Sequence, residues 1–134
     1  VARAPCYDEL RPHILRLFQG QEVVIYNRAY DSQYLNLELG TAHRVQCCML
    51  AFAEHYGEWN AQFGNYQWQK LKTASDYVLY QWQGEAHRAL ADARATRAVW
   101  QYLTIPEIRT SIDKQRNVLL SSKTTQYDRY IHHN

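Results

Sequence analysis

The spacing of hydrophobic and polar residues changes from helical to extended within the first quarter of the chain. Leu10, Ile14 and Leu17 recur at helical intervals and Gly20 follows them, which predicts a helix that ends near this glycine. Residues 22–26 (Glu-Val-Val-Ile-Tyr) are short, β-branched and apolar. This pattern is typical of a buried strand in a parallel sheet.

A second helix is predicted directly after that strand. Asn27 is a favourable N-cap residue, and Gly40 marks the end of the helix. Tyr34 and Leu35 lie between them and are expected to form its inner face.

A second strand is predicted over residues 44–48, and it continues into a helix that Gly57 closes. Residues 57–67 mix glycine, asparagine and aromatic residues without a period, which predicts a loop. A short helix is expected over residues 68–78.

The clearest helical pattern runs over residues 88–103 and stops before Pro106. Residues 105–134 are polar and weakly patterned, and they give no structural prediction. Strands that alternate with helices indicate an α/β layer fold. We therefore expect a domain over residues 1–104 and a C-terminal extension over residues 105–134. Two strands are fewer than a stable sheet normally needs, which indicates missing strands.

Composition narrows the class of protein without identifying it. The chain has 134 residues, of which 46% are hydrophobic and 21% charged, so a folded domain is expected rather than disorder. The net charge of +2 permits nucleic-acid binding but does not indicate it. No apolar run is long enough for a membrane span, and no membrane partner is expected. The three cysteines include the adjacent Cys47 and Cys48 and show no zinc spacing, which favours reduced thiols and a cytoplasmic location.

An aspartate interrupts the apolar face of the clearest helix. Asp92 is placed on that face one turn before Thr96, and burying an ionised carboxylate costs several kcal/mol unless it is paired or binds a metal. A salt bridge to an arginine, or a position at the open end of the face, would explain it equally well. The expected inward residues are Ala89, Ala93, Thr96, Val99, Trp100 and Leu103.

Asp31 and His87 are the other two residues with candidate chemistry. Asp31 follows the first strand, at the strand end where α/β sheets bind ligands, although an aspartate is also favoured there by the helix dipole. His87 precedes Asp92 by five residues, so on one helix the two would be about 140° apart. They converge only if His87 lies in the preceding loop. A histidine beside carboxylates suits activation of a metal-bound water, although a lone histidine is more often structural or merely exposed.

Together, two segments resemble the DEDDh, or DnaQ-like, 3′→5′ exonuclease family, which has a ribonuclease H-like fold. Residues 23–31 (VVIYNRAYD) resemble its second motif, an apolar strand that ends in N-x-x-[FY]-D. Residues 87–93 (HRALADA) resemble its third motif, H-x-x-x-x-D. Stretches between the motifs are also similar to family members, and the resemblance spans about residues 4–103.

The resemblance implies a catalytic and a metal-binding role for particular residues. Four acidic residues of the family hold two divalent cations, Mg²⁺ or Mn²⁺, and Asp31 and Asp92 would be two of the four. His87 would be the general base. The expected activity is two-metal hydrolysis of phosphodiester bonds at single-stranded 3′ ends, with DNA favoured over RNA.

Four further residues are expected to contact the substrate. Asn27 and Tyr30 belong to the second motif, and Asn27 is expected to cap or brace it rather than to bind metal. Trp59 and Trp68 are placed to stack on terminal bases, although packing of the loop onto the core would also account for them.

The resemblance lacks the first family motif, a D-x-E on an opening strand. Asp8 and Glu9 are adjacent and begin a helix, so they do not form this motif. We therefore expect the C-terminal part of such a domain without its first three strands, inactive by itself. A preceding segment, a second chain or a second copy would complete the sheet. The alternative is a non-catalytic, nuclease-like module that binds nucleic acid or a protein partner.

Overall fold

A computed structural model describes residues 3–84 and 88–131, with side chains through residue 123. The protein is mixed α/β and divides into two compact units, Val1–Leu71 and Lys72–Asn134. Its elements are α1 (Tyr7–Phe18), β1 (Glu22–Ile25), α2 (Arg28–Leu39), β2 (Arg44–Cys47), α3 (Cys48–Tyr56), β3 (Trp59–Asn60), β4 (Asn65–Tyr66), α4 (Leu71–Tyr77), α5 (Ala89–Thr104) and α6 (Pro106–Ile131). No helix in the described ranges combines the length and the apolar character that a bilayer span requires.

The first unit is built on the parallel pair β1–β2, which confirms both strand predictions. Its register runs from Glu22 opposite Arg44 to Ile25 opposite Cys47. β1 is less buried than predicted, because three of its residues are half-buried and the first is exposed. Within the described residues this sheet has two strands, so its edges are not covered by further strands.

Two side-chain hydrogen bonds join separate segments of this unit. Arg11 of α1 donates from Nε to Oε1 of Glu38 on α2 at 2.7 Å, and the Glu38 side chain is buried. Tyr26, directly after β1, donates its hydroxyl to the carbonyl oxygen of Gln69 at 2.8 Å. The second contact fixes the end of β1 against the segment that follows β4.

Helix α2 begins and ends as predicted, but its inner face differs. The Asn27 side chain accepts a hydrogen bond from the Tyr30 amide, and Gly40 is the C-cap. Tyr34 was expected inside and is 65% exposed, lying against the Tyr30 ring with centroids 5.5 Å apart. The backbone leaves helical geometry at Leu35 (φ −118°, ψ 20°). Asp31 and Leu35 are half-buried and Glu38 and Leu39 are buried, at helical spacing, so the inner face passes through Leu35 as predicted and leaves Tyr34 outside it.

The region between α3 and α4 is a hairpin rather than the predicted loop. Helix α3 ends at Gly57 as predicted, and antiparallel β3 and β4 then place Trp59 opposite Tyr66 and Asn60 opposite Asn65. Strands of two residues are too short to show the alternation from which strands are predicted.

The second unit contains α5 at nearly the predicted bounds and a long helix, α6, in a segment whose weak pattern predicts no element. The buried residues of α5 are Ala91, Ala95, Thr96, Val99 and Tyr102. Thr96 and Val99 were predicted correctly. Ala89 and Ala93 are exposed, so their inward placement was wrong. In this alanine-rich helix the small residues do not specify which side packs. The side that does pack lies against α6, a helix that the sequence pattern does not predict.

Candidate functional site

Asp31 lies in the first turn of α2, six residues after β1 ends. Its backbone amide donates to the carbonyl oxygen of Asn27 at 3.2 Å, so the same residue that caps the helix also orients this turn. The Asp31 side chain is half-buried. Partial burial raises the pKa of its carboxyl group above the ordinary value, and no hydrogen bond from a described residue offsets this effect. A partly dehydrated carboxylate at a strand end has the donor chemistry that a divalent cation requires.

Asp92 lies in the first turn of α5 at the border of its buried face. Its neighbour Ala91 is buried and its neighbour Ala93 is exposed, so Asp92 itself is half-buried rather than central in the apolar stripe. Its amide donates to the Arg88 carbonyl at 2.9 Å, and its carbonyl accepts from Thr96 Oγ1 at 2.8 Å. At this border the carboxylate is partly hydrated, so the cost of burying it is lower than in the middle of the apolar face.

Asp31 belongs to the first compact unit and Asp92 to the second. His87 lies outside the described residues, and its catalytic role stays a prediction. In the described ranges no group of three or more His, Cys, Asp or Glu side chains is arranged to hold a metal ion. The oxygen donors of the two aspartates fit Mg²⁺ or Mn²⁺ in type, but two carboxylates are fewer than the predicted four.

Asn27 and Tyr30 form a cap and an exposed aromatic surface. The Asn27 Oδ1 accepts from the Tyr30 amide at 3.3 Å, which confirms the expected capping role. The exposed Tyr30 ring is tilted against Tyr34, and a hydrogen bond between their hydroxyls is the main cause that raises the pKa of Tyr30. Two exposed rings therefore lie on α2 near Asp31, Tyr30 directly before it and Tyr34 about one turn after it.

Trp59 begins the hairpin, Trp68 follows it by two residues, and both indoles remain largely accessible. Trp59 is 58% exposed and Trp68 is 54% exposed. Trp59 meets the Tyr66 ring edge-on at 5.2 Å, so packing accounts for one side of its indole only. Most of both indole surfaces is open to a ligand.

A groove of about 290 Å³, which Trp68 lines in part, was not predicted from the sequence. We call it the hairpin groove, and the residues that line it are Asn60, Phe63, Asn65, Gln67 and Trp68. Phe63 is 70% exposed. The available signal is the density of amide and aromatic side chains between Gly57 and Trp68, in a segment without a period.

Comparison with known proteins finds a relative from a phage but no matching structure. The chain is 33% identical over 111 residues to the protein named "Uncharacterized exonuclease CP81" of Escherichia phage 186. The match covers 74% of this chain, and the chain spans 57% of the relative's length. No family model matches, and no solved structure matches. The chain is therefore similar, over most of its own length, to a phage protein that is named an exonuclease.

Proposed function

We propose that this chain acts in a metal-dependent 3′→5′ exonuclease of the DEDDh type, on single-stranded 3′ ends and with DNA favoured over RNA. The observation that carries the proposal is the arrangement of strand β1, the Asn27 cap and the half-buried Asp31 carboxylate. This is the local structure that the second family motif implies. Similarity to a phage protein named an exonuclease supports the same class of activity.

The β1–β2 pair would then be part of a ribonuclease H-like sheet. A two-stranded parallel sheet leaves backbone donors and acceptors unpaired along its edges, which favours pairing with another strand. A segment or a second copy outside the described structure would supply that strand and the remaining carboxylates. Free cysteine thiols are consistent with the proposed cytoplasmic location.

Each residue has a separate task in the proposed reaction. Asp31 and Asp92 would hold the divalent cations through carboxylate oxygens, and His87 would accept a proton from the attacking water. When bound, two such cations supply activation of that water and stabilisation of the leaving 3′ oxygen. Asn27 keeps the turn that carries Asp31 in place through its cap.

The substrate would be held by exposed rings rather than by a closed pocket. Tyr30 on α2, Trp59 on β3 and Trp68 after β4 present accessible aromatic surface. Aromatic platforms bind single strands because every base has a face that stacks.

Trimming of an oligonucleotide labelled at its 5′ end tests the proposal. The complete gene product that carries this chain is incubated with DNA or RNA in Mg²⁺, with a chelator as control. We expect a ladder that shortens from the 3′ end, faster on DNA, and its loss in the Asp31→Asn and Asp92→Asn variants. Asp76→Asn is the matched control, since Asp76 is an exposed aspartate paired with Lys72 at 2.5 Å.

The outcome also separates the proposal from its alternative. A non-catalytic module would bind the single strand and leave its length unchanged with every divalent cation tested. Trimming that survives both Asp31→Asn and Asp92→Asn would contradict the assignment of these residues.

A further inference from the structure

We propose that the hairpin groove is a subsite for one nucleobase of a single strand, in which Phe63 and Trp68 stack on the base and the Asn65 and Gln67 amides contact its edge. The inference rests on the proposed nucleic-acid substrate and adds a base-contacting site to it. Phe63, Asn65 and Gln67 are not part of either family-like motif.

The framework of the groove is preformed. Asn60 donates from Nδ2 to Oε1 of Gln67 at 2.9 Å, and its Oδ1 accepts from the backbone amides of Gln62 and Phe63 at 3.1 and 3.3 Å. The backbone amide of Gln67 donates to the backbone carbonyl oxygen of Glu58 at 2.7 Å. These bonds fix the turn and one wall before any ligand arrives, so little ordering is required on binding.

The aromatic walls of the groove are largely uncovered. Phe63 is 70% exposed and Trp68 is 54% exposed, although both are large apolar side chains. The groove volume of about 290 Å³ lies just below the range of sites for drug-sized ligands, roughly 300–1,000 Å³. A single planar ring system matches this size better than a helix or strand of a protein partner does.

The polar lining is composed of amides with unused hydrogen-bonding atoms. The Gln67 Oε1 is occupied by Asn60, which leaves its Nε2 as a donor, and no described residue pairs with it or with the Asn65 amide. Proteins hold unstacked bases by stacking on aromatic side chains and by hydrogen bonds to the base edges, and a side-chain amide can both donate and accept such bonds. Aromatic faces together with amide edges favour a base over a purely apolar ligand.

The groove residues carry no charge, which distinguishes base binding from phosphate binding. Contacts to phosphates make affinity fall steeply with salt, whereas stacking does not. Loss of a ring from this groove is therefore expected to weaken binding to a similar extent at low and high salt.

Binding of the full chain to a 5′-labelled, single-stranded decadeoxynucleotide in a chelator tests the groove by fluorescence anisotropy. We expect Phe63→Ala and Trp68→Ala each to weaken binding by roughly tenfold. Leu37→Ala is the matched control, because Leu37 is an apolar residue of α2 with the same 70% exposure. A blunt duplex should bind with lower affinity, and its affinity should not change in Phe63→Ala.

Two conservative variants separate stacking from general apolar contact. Phe63→Tyr keeps an aromatic face and should bind like the unsubstituted chain, whereas Phe63→Leu keeps apolar bulk and should weaken binding as Phe63→Ala does. Full affinity in Phe63→Leu would overturn base stacking and indicate a surface for a protein. The exposure of Phe63 means that these variants are expected to fold, which circular dichroism checks.

Gln67→Glu tests the edge contact. The substitution keeps an oxygen that accepts from Asn60 and removes the Nε2 donor. We expect the ratio of affinities for oligo-dT, oligo-dC and oligo-dA to change by severalfold, and an unchanged ratio would overturn edge contact by Gln67.

The experiments distinguish a failure of the base-binding proposal for the groove from a failure of the exonuclease proposal. Binding that depends on Phe63, without trimming by the complete gene product, supports the groove and contradicts the exonuclease. Trimming with binding unaffected by Phe63→Ala and Trp68→Ala contradicts the groove alone. Absence of any single-strand binding by the chain overturns the proposal that the groove binds a base.

Discussion

The hydroxyl of Tyr102 donates a hydrogen bond to Oδ1 of Asp113 at 2.8 Å, and this bond joins α5 to α6. Tyr102 is almost fully buried, and its ring also meets Tyr77 edge-on at 5.9 Å. Arg109 lies over the same ring at 5.7 Å. One tyrosine therefore connects three helices of the second unit.

Replacing Tyr102 by phenylalanine is expected to destabilise the chain by about 1 kcal/mol, because a buried hydrogen bond is lost while the ring contacts remain. Urea unfolding followed by circular dichroism measures the change. Gln115→Ala on the exposed side of α6 serves as control and should stay within about 0.5 kcal/mol of the unsubstituted chain. Equal stabilities of Tyr102→Phe and the unsubstituted chain would contradict a structural role for the bond to Asp113.

The ion pair between α1 and α2 predicts a loss of stability in acid. Burial opposes ionisation of Glu38, but hydrogen bonds from the backbone, Arg11 and Tyr7 outweigh it, and its pKa lies below the ordinary 4.5. A lowered pKa in the folded state stabilises the fold above the unfolded value and loses that effect as the pH falls through the folded value. We therefore expect the denaturation midpoint to fall as the pH drops below about 4.5.

Glu38→Gln removes this dependence and isolates its source. The variant should be less stable at neutral pH and lose less stability on acidification than the unsubstituted chain does. Glu54→Gln, at an exposed position of α3, should keep the full dependence. A Glu38→Gln chain with an unchanged acid profile would show that other groups cause the loss.

Gly57 closes α3 with a left-handed backbone conformation (φ 81°). A Cβ atom there would meet no atom within 4 Å, so substitution changes backbone strain and not packing. We expect Gly57→Ala to lower the free energy of unfolding by about 1 kcal/mol, and Gly57→Asn to lower it less because asparagine tolerates this region. Thermal unfolding compares the two, and equal losses would argue against conformational strain as the cause.

A general base that removes a proton from water contributes about 10²–10⁴-fold to a rate. In the complete gene product we therefore expect His87→Ala to slow trimming at least about hundredfold while single-strand binding is retained. His43→Ala, an exposed histidine that precedes β2, is the control. An unchanged rate in His87→Ala would reject the role of this residue.

Much of the fold could be predicted because its elements have strong local signals. The apolar run of β1, the Asn27 cap and the Gly40 and Gly57 termini depend on short-range chemistry, and each is found where the sequence predicts it. The orientation of α5 could not be predicted, since it depends on Tyr102 meeting Asp113 on a helix with no clear amphipathic pattern. Tyr34 is likewise exposed, because the buried face of α2 passes through Asp31, Leu35 and Glu38 and leaves it on the other side.

The candidate site, like the fold, could be predicted from the sequence only in part. Sequence spacing singled out Asp31, Asn27 and Asp92, and the structure places both aspartates at half-buried positions in first helical turns. The hairpin groove could not be predicted from residue periodicity, because strands of two residues show no alternation. Phe63 lines the groove only in the folded turn, where its backbone amide donates to Asn60 Oδ1.

The sequence by itself determined the secondary structure near glycine and asparagine signals, the parallel strand pair and the candidate carboxylates, because these depend on contacts over a few residues. Only the tertiary structure decided which face of α5 is buried, that residues 106–131 form a helix, and that amides and rings of the hairpin enclose a groove. Those features depend on contacts such as Tyr102 with Asp113 and Asn60 with Gln67, which form only when separate segments meet.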